Sequence, residues 1–164
     1  MDKYRTCFFT GHRIIANKNI EKIKELIAQN IEELIIKHDV KNFICGGALG
    51  FDMIAAETVA KMRESYPHIR LILYLPCYGQ SKNWTDKQRF RYNMIKAKAD
   101  EYVYITEKEY TKECMNLRNM KMIKDSAFCI AFCMLSRSGT GLTMKNAEAV
   151  GTIIKNIADE MYEK

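Results

Sequence analysis

Five short apolar runs, each followed by a longer stretch with a helical repeat, limit what this chain can fold into. Residues 5–10, Asn42–Cys45, Arg70–Leu75, residues 101–105 and residues 127–134 are compact and apolar enough to be strands. After the first run, Ile20, Ile23, Ile27, Ile31 and Leu34 recur at intervals of three and four, with Lys and Glu between them. That spacing puts one apolar stripe on a long helix. Further helices are predicted over 52–66, up to a stop at Pro67, then from beyond Thr85 to about Ala99, and over 112–124. The last is predicted over 142–162, from Met144, Ala147, Val150, Ile154, Ile157 and Met161. Strands separated by helices of this length require crossover connections, hence a mostly parallel sheet covered on both faces. The expectation is an α/β fold: one three-layer domain over residues 1–164, with about five strands.

Charge and cysteine usage narrow the partners. With 26 Lys and Arg against 20 Asp and Glu, the chain carries a net charge of +6, which suits an anionic ligand and permits nucleic acid without requiring it. Cys7, Cys45, Cys77, Cys129 and Cys133 lie in or beside apolar runs, as reduced thiols do in a cytoplasmic protein. The polar start, Met1 to Arg5, reads as carrying no secretory signal. His12, His38 and His68 share no ligand spacing, so neither a metal nor another cofactor is expected. No apolar stretch approaches the roughly 20 residues of a membrane span. The broad apolar helix faces are compatible with a homodimer.

In a parallel sheet the loops after the strands share one rim, and ligands bind there where the strand order reverses. The most distinctive of these loops is Cys45-Gly46-Gly47-Ala48-Leu49-Gly50-Phe51-Asp52, a strand-to-helix turn. Two readings stand: glycines that let the turn pack, and glycines that bring backbone N–H groups to a phosphate. The spacing is neither that of a dinucleotide fingerprint nor that of a P-loop. Asp52 can cap the helix or accept hydrogen bonds from ribose hydroxyls. Thr10-Gly11-His12-Arg13 ends the first strand, with Arg13 a phosphate partner and His12 a hydrogen-bond donor or stacking surface. Ser138-Gly139-Thr140-Gly141-Leu142-Thr143 is a second small-residue turn, able to hold phosphate or simply to start a helix.

The loop after the third strand carries Gln80 and Trp84, the single tryptophan, either a platform for a base or core packing. Lys82, Lys87, Arg89, Arg91, Lys96 and Lys98 form a basic stretch, by default a solvated face and alternatively a nucleic-acid surface. Arg118-Asn119 reads from its pattern as solvated helix surface, although Arg118 could reach over the rim.

Taken in order, Thr10 to Arg13, Gly46 to Asp52 with Ala55-Ala56-Glu57, Leu75-Pro76-Cys77 with Gln80 and Trp84, Arg118-Asn119 with Met122 and Asp125-Ser126, and Gly139-Thr140 with Thr143 resemble the YpsA family of the SLOG superfamily. The resemblance runs from about residue 5 to about residue 151. It implies a Rossmann-like domain with a nucleotide or nucleotide-derived, ADP-ribose-like ligand at the glycine-bearing turns. Ligand contacts would come from Thr10, Gly11, His12, Arg13, Gly46, Gly47, Ala48, Gly50, Asp52, Gln80, Trp84, Arg118, Asn119, Gly139, Thr140 and Thr143.

Relatives in the superfamily differ in role. Lonely Guy enzymes cleave the glycosidic bond of nucleoside monophosphates, DprA binds single-stranded DNA, and other members are assigned to nucleotide sensing. The Lonely Guy pattern has an arginine, matched by Arg118, and a Pro-Gly-Gly-x-Gly-Thr turn closely followed by a glutamate. Here the turn is Arg137-Ser138-Gly139-Thr140, and Thr143 stands about where that glutamate is expected. Cleavage through a cation-like sugar needs a carboxylate. Binding, as a sensor or regulatory protein, is therefore the first expectation. An N-glycosidase or ribosyltransferase, with Arg118, Asp52 or Glu57 (or Glu148) as candidate catalytic groups, is the second. Single-stranded nucleic-acid binding through the basic stretch is the third.

Overall fold

A computed structural model describes residues 1–107 and 109–162. The sheet has six parallel strands: β1 (Thr6–Gly11), β2 (Asn42–Cys45), β3 (Arg70–Leu75), β4 (Glu101–Tyr104), β5 (Phe128–Phe132) and β6 (Ile153–Asn156). Their order is β4-β3-β2-β1-β5-β6. The chain moves outward from β1 to β4, then crosses back to β5 on the other side of β1. The reversal between β1 and β5 is the topological switch point of this Rossmann-like fold.

Helices α1 (Ile20–His38), α2 (Phe51–Met62), α3 (Asp86–Lys98), α4 (Lys112–Asp125), α5 (Gly139–Ala149) and α6 (Ile157–Met161) complete the three layers. Side chains alternate along each central strand between two cores. Cys7 and Phe9, Phe43 and Cys45, Leu71, Leu73 and Leu75, and Ile130 and Phe132 pack with α1, α2, α3 and α6. Phe8, Ile44, Ile72, Tyr74, Cys129 and Ala131 pack with α4 and α5. Phe8, Phe9, Phe43 and Phe51 are wholly buried, each contributing about 1.5–3 kcal/mol through removal of apolar surface from water.

One predicted element is corrected. Residues 142–162 do not form a single helix: α5 stops at Ala149, Gly151 takes a left-handed φ of +87°, and β6 adds a sixth strand beside β5. Ile154, Ile157 and Met161 follow a helical spacing by coincidence, because Ile154 lies in β6 and the other two in α6. The predicted strand over 127–134 narrows to β5, and that over 101–105 to β4. The helix predicted over 52–66 ends as α2 at Met62 and passes through turns to Ser65.

Candidate functional site

The cleft at the switch point holds about 300 Å³ and is built from the ends of four elements. β1 delivers Phe9, Thr10 and Gly11 and continues into His12 and Arg13. The turn before α2 delivers Ala48, and α2 itself Asp52. α4 contributes Met115, Asn116, Arg118, Asn119 and Met122. The start of α5 contributes Ser138, Gly139, Thr140 and Thr143.

Arg118 organises this floor. It follows Cys114 and precedes Met122 at intervals of four, so it lies on the buried stripe of α4 and is only 3% exposed. The solvated position read from its pattern is thus corrected: α4 turns Leu117 and Met120 to solvent and Arg118 inward. Its Nη1 donates to the carbonyl of Gly46, its Nε to Asn119 Oδ1 at 2.8 Å, and its Nη2 makes a long contact of 3.8 Å to the Met115 sulfur. These acceptors are all neutral. Arg13 approaches the same sulfur, its Nη2 at 3.9 Å. Burial pulls the Arg118 pKa down; the negative charge of Asp52 opposes that, and the positive charge of Arg13 adds to it.

Asp52 is buried beside Arg118, and its Oδ2 accepts the Ala48 N–H at 3.3 Å. The carboxylate thus bonds back into the turn that precedes its helix. Burial raises its pKa above the usual carboxylate range, against the lowering effects of Arg118, the Ala48 and Gly46 amides and Arg13.

The glycines of this turn are explained by close approach. A Cβ on Gly46 would lie 2.3 Å from the Arg118 guanidinium, and one on Gly50, where φ is +79°, would lie 2.3 Å from the Arg13 carbonyl oxygen. Gly46, Gly47 and Gly50 lie behind the cleft wall, packed on Arg118, on Leu75 and on the 12–13 backbone. The Gly46 carbonyl also receives Gln80 Nε2 at 3.5 Å, and the Tyr92 hydroxyl donates to Gln80 Oε1 at 3.3 Å.

The turn before α5 is built differently. Ser138 caps the helix by accepting the Gly141 N–H at 3.0 Å, which leaves the Gly139 and Thr140 amides in the first turn without intrahelical acceptors. Thr143 donates its hydroxyl to the Gly139 carbonyl at 3.1 Å. His12 joins the two turns: its carbonyl accepts the Phe51 N–H at 3.1 Å and its Nε2 accepts the Met134 N–H at 2.8 Å. In the neutral ring the proton therefore sits on Nδ1. Partial burial holds the His12 pKa below its ordinary value.

A second cleft of about 350 Å³ adjoins the first and shares Arg13 with it; Gly79, Gln80, Lys82, Asn83, Trp84, Glu109 and Tyr110 line the rest. Trp84 is steadied edge-on against Tyr92, ring centroids 5.3 Å apart.

Of the predicted residues, Thr10, Gly11, His12, Arg13, Ala48, Asp52, Arg118, Asn119, Gly139, Thr140 and Thr143 meet in the first cleft, and Gln80 and Trp84 meet Arg13 in the second. Glu57 is not with them: it pairs with Arg91 and lines a groove between α1 and α2. Glu148 is exposed at the last turn of α5, outside the cleft lining. In the basic stretch, Arg91 is paired with Glu57, Arg89 with Asp86, and Lys96 lies over the Tyr92, Tyr102 and Tyr104 rings. Sequence reasoning missed Met115, Asn116 and Tyr110. The spacing of Cys114, Arg118 and Met122 was the available signal, since it turns α4 so that Arg118 and its neighbours face the sheet.

Comparison with known proteins agrees with this architecture. The YpsA family profile, described as the YspA SLOG family, matches residues 7–148. The SPbeta prophage-derived protein YoqJ of Bacillus subtilis is 33% identical over 135 residues, covering 76% of this chain and 79% of YoqJ. A UPF0398 protein of Halalkalibacterium halodurans is 32% identical over 111 residues, covering 67% of this chain but only 58% of that protein. Among solved structures, DNA processing protein A (DprA) of Streptococcus pneumoniae superposes with a TM-score of 0.66 at 16% identity, over 93% of this chain and 50% of DprA. DprA of Helicobacter pylori, whose structure is described by its single-stranded DNA binding mode, gives 0.64 at 17% identity, over 93% of this chain and 64% of that one. At such identities these likenesses concern the fold, and the chain spans about half to two thirds of those longer proteins. No described helix is long and apolar enough to cross a membrane. The match over residues 7–148 and the relationship to YoqJ place the chain in one family: it belongs to the YpsA family of the SLOG superfamily.

Proposed function

We propose that this domain binds a nucleotide or nucleotide-derived, ADP-ribose-like molecule across the two adjoining clefts, in a sensing or regulatory role. One observation carries the reading. A buried guanidinium, Arg118, bonds to neutral acceptors at the cleft floor with one carboxylate, Asp52, beside it, and a second guanidinium, Arg13, reaches the same Met115 sulfur. One carboxylate thus faces two guanidiniums, and the surplus positive charge is stabilised by pairing with an anion. A phosphate accepting from the Nη2 groups of both would relieve the repulsion between them. The Gly139 and Thr140 amides add donors and the positive end of a helix. Asp52 is the acceptor for sugar hydroxyls, and the Trp84–Tyr110 cleft takes the planar base beyond Arg13.

Calorimetry with AMP, ADP-ribose, inorganic pyrophosphate and an oligothymidylate tests this. AMP or ADP-ribose should bind more tightly than pyrophosphate, and Arg118→Met should weaken binding by about a hundredfold, as loss of a charge-assisted hydrogen bond in a buried site does. Absence of binding by all four ligands overturns the reading. Salt-sensitive binding of the oligonucleotide alone replaces it with a DprA-like one.

A second reading, N-glycoside cleavage, is favoured by the carboxylate that does line the cleft. Asp52 is buried with a raised pKa, a state suited to proton transfer. Base release from AMP that disappears in Asp52→Asn would establish it, and absence of release under single-turnover conditions would exclude it.

A further inference from the structure

Two guanidiniums converge on one thioether. The Met115 sulfur is 3.9 Å from Arg13 Nη2 and 3.8 Å from Arg118 Nη2, and the side chain is half-buried on the cleft wall. A thioether is a weak acceptor, so it does little for the two Nη2 groups that contact it. The same sulfur one oxidation step higher carries an oxygen with a large negative partial charge. That oxygen would stand one bond out from sulfur, between donors now slightly too far from the sulfur for strong bonds.

We propose that Met115 is a site of reversible sulfoxidation, and that its sulfoxide closes the anion cleft by occupying Arg13 and Arg118. The oxidant is a hydroperoxide. The sulfur lone pair attacks the distal peroxide oxygen, the O–O bond breaks, and the S–O bond forms. Sulfur gives up two electrons, and the other peroxide oxygen leaves as water or an alcohol after taking up the proton. Negative charge develops on that departing oxygen, and the guanidinium donors beside the sulfur stabilise it. Met115 therefore reacts faster than its exposure alone would give. The sulfoxide oxygen then accepts from both guanidiniums and competes with phosphate for them. Reduction by a methionine sulfoxide reductase restores the thioether and reopens the cleft.

The consequence for binding rests on the nucleotide reading, whereas the reactivity does not. The folded protein is treated with limiting hydrogen peroxide, and sulfoxide at each methionine is followed by peptide mass spectrometry. Met115 is expected to oxidise about threefold or more faster than Met120 and Met134, which are 56% and 53% exposed, reversing the order set by accessibility. Affinity for AMP or pyrophosphate should fall about tenfold on oxidation and return after reductase treatment. Met115→Leu should bind its probe equally before and after peroxide. Met115→Gln, whose amide oxygen imitates the sulfoxide, should bind weakly in both. Oxidation of Met115 no faster than Met120, or an oxidised protein that binds as the reduced one does, overturns the proposal. A reduced protein that binds neither probe overturns the nucleotide reading instead, and the order of oxidation rates, which needs no ligand, then decides whether Met115 is the modified site.

Discussion

The turns before α2 and before α5 have similar compositions and opposite uses. Both join a strand to a helix at the same rim, and both carry glycines. In the first, the Ala48 amide is taken by Asp52 and the Phe51 amide by the His12 carbonyl. Any side chain added at Gly46 or Gly50 would meet protein at 2.3 Å. In the second, a Cβ on Gly141 would lie 2.1 Å from the Ser136 carbonyl oxygen, but one on Gly139 would meet nothing within 4 Å, and the first two amides of α5 are free of intrahelical acceptors. Glycine content alone therefore does not mark a phosphate site. What separates the turns is where their N–H groups go: the first seats Arg118 and Asp52, and the second faces the cleft.

The sharpest way to break this comparison is to put a methyl group into each turn. Gly50→Ala forces a left-handed φ on a residue with a side chain and drives its Cβ into the Arg13 carbonyl. Strain and overpacking together should cost about 2–5 kcal/mol. For a domain of this size that lowers Tm by roughly 4–20 °C. Gly46→Ala acts on the site as well, because its Cβ displaces the Arg118 guanidinium, so anion binding should fall with stability. A Gly50→Ala variant that melts within about 1 °C of the parent would mean the first turn is free to move, and the contrast would collapse.

These positions also show what was legible beforehand. The alternation of short apolar runs and helical repeats located the first five strands, because burial of both sheet faces leaves a plain pattern in the central strands. β6 was hidden because it is an edge strand of four residues whose alternating exposure, Ile153 and Lys155 outward, blends into the repeat of the helices around it. The loops at the rim were legible because parallel topology alone places them together. The Arg118 environment was not: exposure of Leu117 and Met120 inverts the usual sorting of apolar and charged residues, and only packing of α4 on the sheet decides it. Which glycines pack and which stand open is likewise set by distant residues such as Arg118 and Arg13.

At the second turn the expected effects are smaller. Ser138→Ala removes the cap on the Gly141 amide and should destabilise by about 1 kcal/mol, with the loss confined to the start of α5. Gly139→Ala should leave stability within about 0.5 kcal/mol of the parent, since the position is open and helical. Thermal or urea unfolding measures both. A loss at Gly139→Ala comparable with that at Gly50→Ala would show Gly139 to be packed as Gly50 is, and the start of α5 to be closed rather than open to the cleft.

The smallest effect separates the turns by pH, through the residue that touches both. His12 holds Phe51 with its backbone carbonyl, which does not titrate, and Met134 with Nε2, which does. Partial burial lowers the folded pKa of His12 below its ordinary 6.5. Between that lowered value and 6.5 the unfolded chain binds more protons than the folded one, so stability rises with pH across this window and is lost as pH falls through it. Below the folded value the ring is protonated, Nε2 no longer accepts, and the loop after β5 loses its tie to β1. Amide hydrogen exchange, normalised for intrinsic rates, should show Met134 losing protection as pH is lowered from about 7.5 to about 5.5, across the ordinary histidine range, while Phe51 keeps its own. His12→Phe should leave Met134 weakly protected at both values and remove the pH dependence. Loss of protection at Phe51 ahead of Met134 would place the weaker turn on the α2 side and reverse the comparison.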